Sequence, residues 1–181
     1  MVVIAGEGKE FEKAVEQSAL EQGIFYFRVR DVMLPPDVRM RVKLPQNKYD
    51  CLLFYKHYLF PIEMKSTKAK SISFDESMIK QNQIDNLINA NTYEGVIPGF
   101  LFNFRLDKPR TFFIHIDDFE KVRNISQNQL PHTYKGRINK SSISLSICEE
   151  IGTEVIGVKK VKKYRHYLNH LLDELIEKYG E

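Results

Sequence analysis

The sequence predicts an α/β fold, a mixed central sheet flanked by helices, on three observations. Short aromatic and aliphatic runs of strand length recur between Ile24 and Ile116. Stretches with helical apolar periodicity stand before, between and after them. Their order, helix, strand, strand, strand, helix, strand, interleaves the two kinds of element. With 181 residues, 43% of them hydrophobic, one domain spanning residues 1–181 is expected.

The first helix is predicted over residues 7 to 21, where Phe11, Ala14, Val15 and Ser18 share a face and Gly23 stops the turn. Ile24 to Val29 alternates as a strand. Residues 31–48 form a basic arm bounded by Pro35-Pro36 and Pro45, and Val38 to Leu44 alternates strictly within it. Arg39, Arg41 and Lys43 then line one face, either as phosphate contacts or as charges that protect a strand edge. Tyr49 to Tyr55 and Tyr58 to Lys65 form an adjacent antiparallel pair. Small and basic residues follow, including Lys68 and Lys70, before a capping pattern at Ser73 and Glu76 opens a helix to about Asn91 with Ile84, Leu87 and Ile88 buried. Val96 to Phe104 and Thr111 to Ile116 are two covered strands. Residues 120 to 142 look polar and loop-like, Ile143 to Cys148 is a strand or a helical turn, and a helix is expected from about Val158. On that last helix His166, His170 and Glu174 fall at four-residue spacing, which suits either a metal or an ordinary solvated face.

Composition narrows the chemistry. Lys and Arg total 27 against 24 Asp and Glu, a net charge of +3 that permits a polyanionic partner. Two cysteines, Cys51 and Cys148, support neither a disulfide framework nor a cysteine-rich zinc site. No apolar run has the length of a membrane span and Val2 to Ala5 is too short for a signal-peptide core, so a cytoplasmic protein is expected.

The chemistry concentrates at the paired strands. With a side-chain period of two, Glu63 and Lys65 point to one face of their strand while Phe60, Ile62 and Met64 point to the other, into a core. Asp50 heads the neighbouring strand and can face them. Two carboxylates and a backbone carbonyl are the hard oxygen donors that Mg2+ takes, with Lys65 beside them to orient or polarise a water. An exposed strand with alternating charges has the same spacing. Glu12 lies on the flank of the first helix's buried face and Gln83 on the edge of the later helix's stripe, positions equally open to solvated and structural roles.

Taken in order, these residues resemble the PD-(D/E)xK restriction-endonuclease-like nucleases, and most of all the RecU-type Holliday junction resolvases. The likeness is carried by Phe11-Glu12-Lys13, Tyr49-Asp50, Ile62-Glu63-Met64-Lys65-Ser66-Thr67 with Ser73-Phe74, and Asn82-Gln83-Ile84-Asp85, and it covers roughly residues 6 to 120. The resemblance implies a restriction-endonuclease-like fold. It implies Glu12, Asp50 and Glu63 as metal ligands, Lys65 as the residue that positions water or offsets transition-state charge, and Gln83 as a phosphate-side or water-side contact. It further implies Mg2+ with Mn2+ as a substitute, branched DNA as partner and a role in recombination and repair; DNA contacts are then expected at Arg39, Arg41, Lys43, Lys68, Lys70 and Gln83, and the two symmetric cuts of a junction call for a homodimer. In that family a longer insertion before the aspartate forms a stalk that enters the junction, and residues 31–48 are a shorter counterpart. A nuclease of linear or flapped DNA, and a DNA-binding module without chemistry, are therefore the alternatives.

Overall fold

The computed structural model describes residues 7–29, 47–160 and 164–180. At its centre is a six-stranded mixed sheet in the order β1 (Phe25–Arg28), β2 (Cys51–Tyr55), β3 (Tyr58–Thr67), β5 (Gly99–Phe104), β6 (Arg110–His115), β8 (Thr153–Glu154). Only β3 and β5 run parallel; the other neighbours are antiparallel. This is the mixed, helix-flanked α/β sheet that the sequence predicts.

Helices cover both faces, because alternation along the strands gives each face its own apolar set. One face packs Cys51, Leu53, Phe60, Ile62 and Met64 against α1 (Glu7–Glu21) and the C-terminal helix, which contributes Leu168, Leu171 and Leu172. The other packs Phe100, Phe102, Phe112 and Ile114 against α2 (Gln81–Ala90), α3 (Ile116–Asn128) and α4 (Leu145–Ile151). Gly23 ends α1 at φ 68°, a left-handed turn that costs a residue with a side chain more.

Four local expectations change. The helix expected from Ser73 starts instead at Gln81: β4 (Ser71–Ser73) pairs with β7 (Ser142–Ser144), and Ser73 Oγ accepts the Asp75 N–H at 3.0 Å in a turn. Ile88 on α2 is exposed, and Ala90 takes its place in the buried stripe. Residues 116–128 are helical, burying Ile116, Phe119, Val122 and Ser126. At the C-terminus β9 (Gly157–Lys159) and β10 (Tyr164–His166) pair as antiparallel strands, and the helix, α5, spans Leu168–Tyr179.

The segment from Ile143 to Cys148 is both strand and helix. Ser144 closes β7 and caps α4, its Oγ accepting the Ile147 N–H at 3.4 Å. Ser144→Ala is expected to lower stability by about 1 kcal/mol, read as a shifted denaturant midpoint at unchanged slope.

Candidate active site

The hairpin between β2 and β3 sets the geometry. Tyr55 pairs with Tyr58 across the two-residue turn Lys56-His57, and Lys56 adopts φ 55°. That register pairs Cys51 with Ile62, and one further step places Asp50 across from Glu63 on the face turned away from α1. Asp50 is fixed in place by its own hydrogen bonds: its N–H donates to Ile62 O at 3.1 Å and its Oδ2 accepts the Met64 N–H at 2.7 Å.

Glu63 and Lys65 lie beside Phe100 and Phe102 of β5 in register, so the sheet buries Glu63 and half-buries Lys65. Glu63 is only 3% exposed. Lys65 Nζ donates to Glu63 Oε1 at 3.0 Å and to Gln83 Oε1 at 3.0 Å, and Gln83 Nε2 donates to the same glutamate oxygen. Gln83 comes to this point because it occupies the first turn of α2, where its Oε1 also accepts the Lys80 N–H that the helix start leaves unpaired. Tyr49 holds the helix against β2, its hydroxyl donating to Asn86 O at 3.2 Å.

Electrostatics single out Glu63. Burial raises its carboxyl from 4.5 to about 7, and the neighbouring Asp50 adds to the rise through charge repulsion and a carboxyl–carboxyl hydrogen bond; Lys65 opposes it. Two oxygen-rich acids pressed together in a poorly solvated site form a donor set that fits a hard divalent cation, which relieves the repulsion that a proton otherwise relieves.

Of the residues predicted for the site, Asp50, Glu63, Lys65 and Gln83 are brought together. Glu12 stands at its margin: it feels Asp50 electrostatically, but its carboxylate is ion-paired with Arg28 of β1. Burial is the first cause of its raised pKa, with Arg28 working against it. Among the described residues no three His, Cys, Asp or Glu side chains form a cluster that could hold a metal, so the three-carboxylate set is not assembled. Lys68 and Lys70 are exposed on the turn after β3. Arg39, Arg41 and Lys43, with nearly all of the arm, lie outside the described residues. The row of His166, His170 and Glu174 is broken by the strand at β10: His166 is buried there, while His170 and Glu174 pair on α5 at 3.3 Å.

No protein-family profile matches the chain. In sequence it is 51% identical over 172 residues to the SPbeta prophage-derived uncharacterized protein YotM of Bacillus subtilis (strain 168), spanning 95% of this chain and 88% of that protein. The chain belongs to the YotM family. In three dimensions it is similar to Hjc, a Holliday junction resolvase from the archaeal hyperthermophile Archaeoglobus fulgidus, with a TM-score of 0.49 and 14% identity over 81% of this chain and 95% of that one. A likeness of that degree carries no activity from one chain to the other.

This YotM-family chain also places residues near the site that sequence patterns pass over. Arg28 gives Glu12 its partner, and the alternation of β1, which turns Tyr26 and Arg28 toward α1, was its available signal. Directly after Lys65, Ser66 turns to the opposite face and joins Asn103 and Arg105, residues with no local motif.

No helix among the described residues is long and apolar enough to cross a membrane.

Proposed function

We propose that the chain is a divalent-cation-dependent DNA endonuclease that resolves four-way Holliday junctions in recombination. One observation carries the reading: Asp50, Glu63, Lys65 and Gln83 meet on one sheet face, with the acids crowded and the ammonium fixed by two partners. Asp50 and Glu63 supply the oxygens for Mg2+, or for Mn2+ in its place. The cation, when bound, neutralises the scissile phosphate and lowers the pKa of an attacking water. Lys65 is held by Glu63 and Gln83 where it orients that water and offsets negative charge as the phosphoester breaks. Gln83 keeps Lys65 in place and adds an amide toward water or phosphate. Glu12 would join them only as an outer ligand, and its ion pair with Arg28 would first have to open.

In this reading residues 1–181 are one nuclease domain, and Arg39, Arg41 and Lys43 of the arm 31–48, together with Lys68 and Lys70, follow the DNA backbone as phosphate contacts. A junction has two symmetric strands to cut, which calls for a two-fold homodimer with one site per subunit. Kinship with a prophage-derived protein fits a phage-borne role.

The test compares labelled four-way junctions, linear duplex and flapped duplex, each with Mg2+, Mn2+ or EDTA. Paired symmetric cuts in the junction, faster than cuts in linear duplex by roughly tenfold or more and absent in EDTA, are expected; tenfold is about 1.4 kcal/mol of discrimination. Equal rates on all substrates retain the nuclease and remove the resolvase. DNA binding without cation-dependent cutting removes both, and leaves a binding module.

A further inference from the structure

On the α1 side of the sheet, opposite the face that carries the carboxylate pair, lies a second site. A cavity of about 610 Å³ lies between α1, the end of β5 and β10, and is walled by Phe11 and Lys13, by Asn103 and Arg105, and by Tyr164 and His166. That volume falls in the range that accommodates a small organic ligand, about 300–1,000 Å³, and exceeds what a bare anion needs.

One wall is built from a polar chain that runs from buried to half-buried residues. Asn103 Nδ2 donates to Thr111 Oγ1 at 2.9 Å, Ser66 Oγ donates to Asn103 Oδ1 at 2.9 Å, and Arg105 Nε donates to Ser66 Oγ at 2.9 Å. Asn103 is 6% exposed and Thr111 2%. Burying Asn103 and Thr111 beside the half-buried Ser66 at the end of a sheet adds little net stability, since their hydrogen bonds mainly repay lost hydration. What the chain achieves is to fix a guanidinium by its Nε at the cavity wall, and a planar guanidinium is the donor best matched to a phosphate.

The facing wall is aromatic. The rings of Tyr164 and His166 have centroids 5.0 Å apart, and those of Phe11 and His166 5.7 Å. Tyr164 rests directly on Gly157, where a Cβ would lie 2.1 Å from its Cε1, so the ring's position depends on the missing side chain. His166 is 2% exposed, and its Nδ1 has no hydrogen-bond partner among the described residues. Burial keeps this imidazole neutral, lowering its pKa to about 4. The half-buried Tyr164 ring, backed by this neutral imidazole and set beside a fixed cation, suits a nucleobase joined to a phosphate. Glu10, also on the wall, disfavours a second phosphate and can accept from a base amino group.

We infer that this cavity takes one unpaired nucleotide of a DNA strand, with its phosphate on Arg105 and its base against the Tyr164 ring, which His166 backs. Ser66 couples the pocket to the strand that carries Lys65, so the nucleotide is gripped on one side of β3 while the ester is cut on the other. The inference rests on the nuclease reading for the DNA strand, but not for the pocket chemistry.

The experiment uses the full chain in EDTA, so that cutting does not intervene. Calorimetry compares dTMP with thymidine, and 2-aminopurine fluorescence compares a duplex carrying one unpaired 2-aminopurine with the same base paired. Saturable dTMP binding, roughly tenfold or more tighter than thymidine, is expected, together with a fluorescence change for the unpaired probe alone. Arg105→Met is expected to erase the preference for dTMP. Tyr164→Leu and Gly157→Ala, on a different element, weaken both ligands, and Asp50→Asn binds dTMP as the wild type does. Equal binding of dTMP and thymidine, unchanged binding by folded Arg105→Met or Tyr164→Leu, or loss of binding in Asp50→Asn overturns the pocket. If dTMP binds but the unpaired probe gives no change, the DNA-strand assignment fails. If the wild type binds dTMP yet cuts no DNA in Mg2+, the nuclease reading fails and the pocket stands.

Discussion

Asp50→Asn is expected to reduce junction cleavage in Mg2+ by roughly 10²–10³-fold or more, the scale on which loss of one electrostatic stabiliser acts. The substitution is close to isosteric. Asparagine retains an oxygen to accept the Met64 N–H that Asp50 Oδ2 takes at 2.7 Å, so the end of β2 keeps its anchor. What disappears is one of two negative charges offered to a cation, and with it the repulsion that adds to burial in raising Glu63. The folded state is accordingly expected to melt at or above the wild-type temperature while cutting fails, which separates a chemical defect from a structural one. Lys65→Met tests the other half of the set. It removes the donor to Glu63 Oε1 and Gln83 Oε1, and a loss of about 10²–10³-fold in turnover with DNA affinity nearly preserved is expected. Wild-type cutting rates in single-turnover assays of Asp50→Asn would refute the assignment of this face as the site of chemistry.

Where local rules bind tightly, the sequence was informative. The alternation that sends Phe60, Ile62 and Met64 to one core and Glu63 and Lys65 to the other follows from strand geometry alone, and a tight hairpin then leaves Asp50 little choice but to face Glu63. Gln83 was readable as a residue beside the stripe of Ile84 and Leu87. Legibility fails where the deciding partner is remote. Residues 116–128 bury only Ile116, Phe119, Val122 and Ser126 among charged and amide neighbours, too sparse a stripe to stand out without the sheet beneath it.

The C-terminal strands fail for the same reason. Val161, Tyr164 and Leu168 follow helical spacing in the sequence, yet Tyr164–His166 is a strand whose backbone is held by α1 and the turn after it: Ser18 Oγ accepts the His166 N–H at 3.0 Å and Gln22 Nε2 donates to His166 O at 2.7 Å. Those partners lie more than 140 residues away, so tertiary pairing overrides a local periodicity. The pairing of Glu12 with Arg28 is a gentler case. Each element was predicted, but which carboxylate would meet which guanidinium depends on how α1 lies across β1.

The metal-free protein is expected to lose stability as pH rises through the range set by Glu63. Its carboxyl has an ordinary value of 4.5 and is raised to about 7 in the fold, so between these limits the native state holds more protons than the unfolded chain. Stability then falls with increasing pH: the penalty is absent below about 4.5, grows through the interval and is complete above about 7. A carboxyl moved that far, at 3% exposure, carries on the order of 3 kcal/mol. For a chain of this size that corresponds to roughly 6–12 °C in melting temperature. Glu12, also raised, adds in the same sense. His115 and His166 act oppositely, because burial lowers both; their contribution is present above the ordinary histidine value of 6.5 and is lost as pH falls through their folded values. The Glu63 component is therefore isolated by subtracting the Glu63→Gln melting curve, measured in EDTA from pH 5 to 8, from that of the wild type. A difference that grows steadily toward pH 8 is expected. Adding Mg2+ should reverse most of it, since a cation favours the ionised pair, and should raise the wild-type melting temperature more at pH 8 than at pH 5 while leaving Glu63→Gln nearly unmoved. Parallel curves for the two proteins in EDTA would show that the buried acid is not under the strain its surroundings impose, and that the pair has no need of a cation.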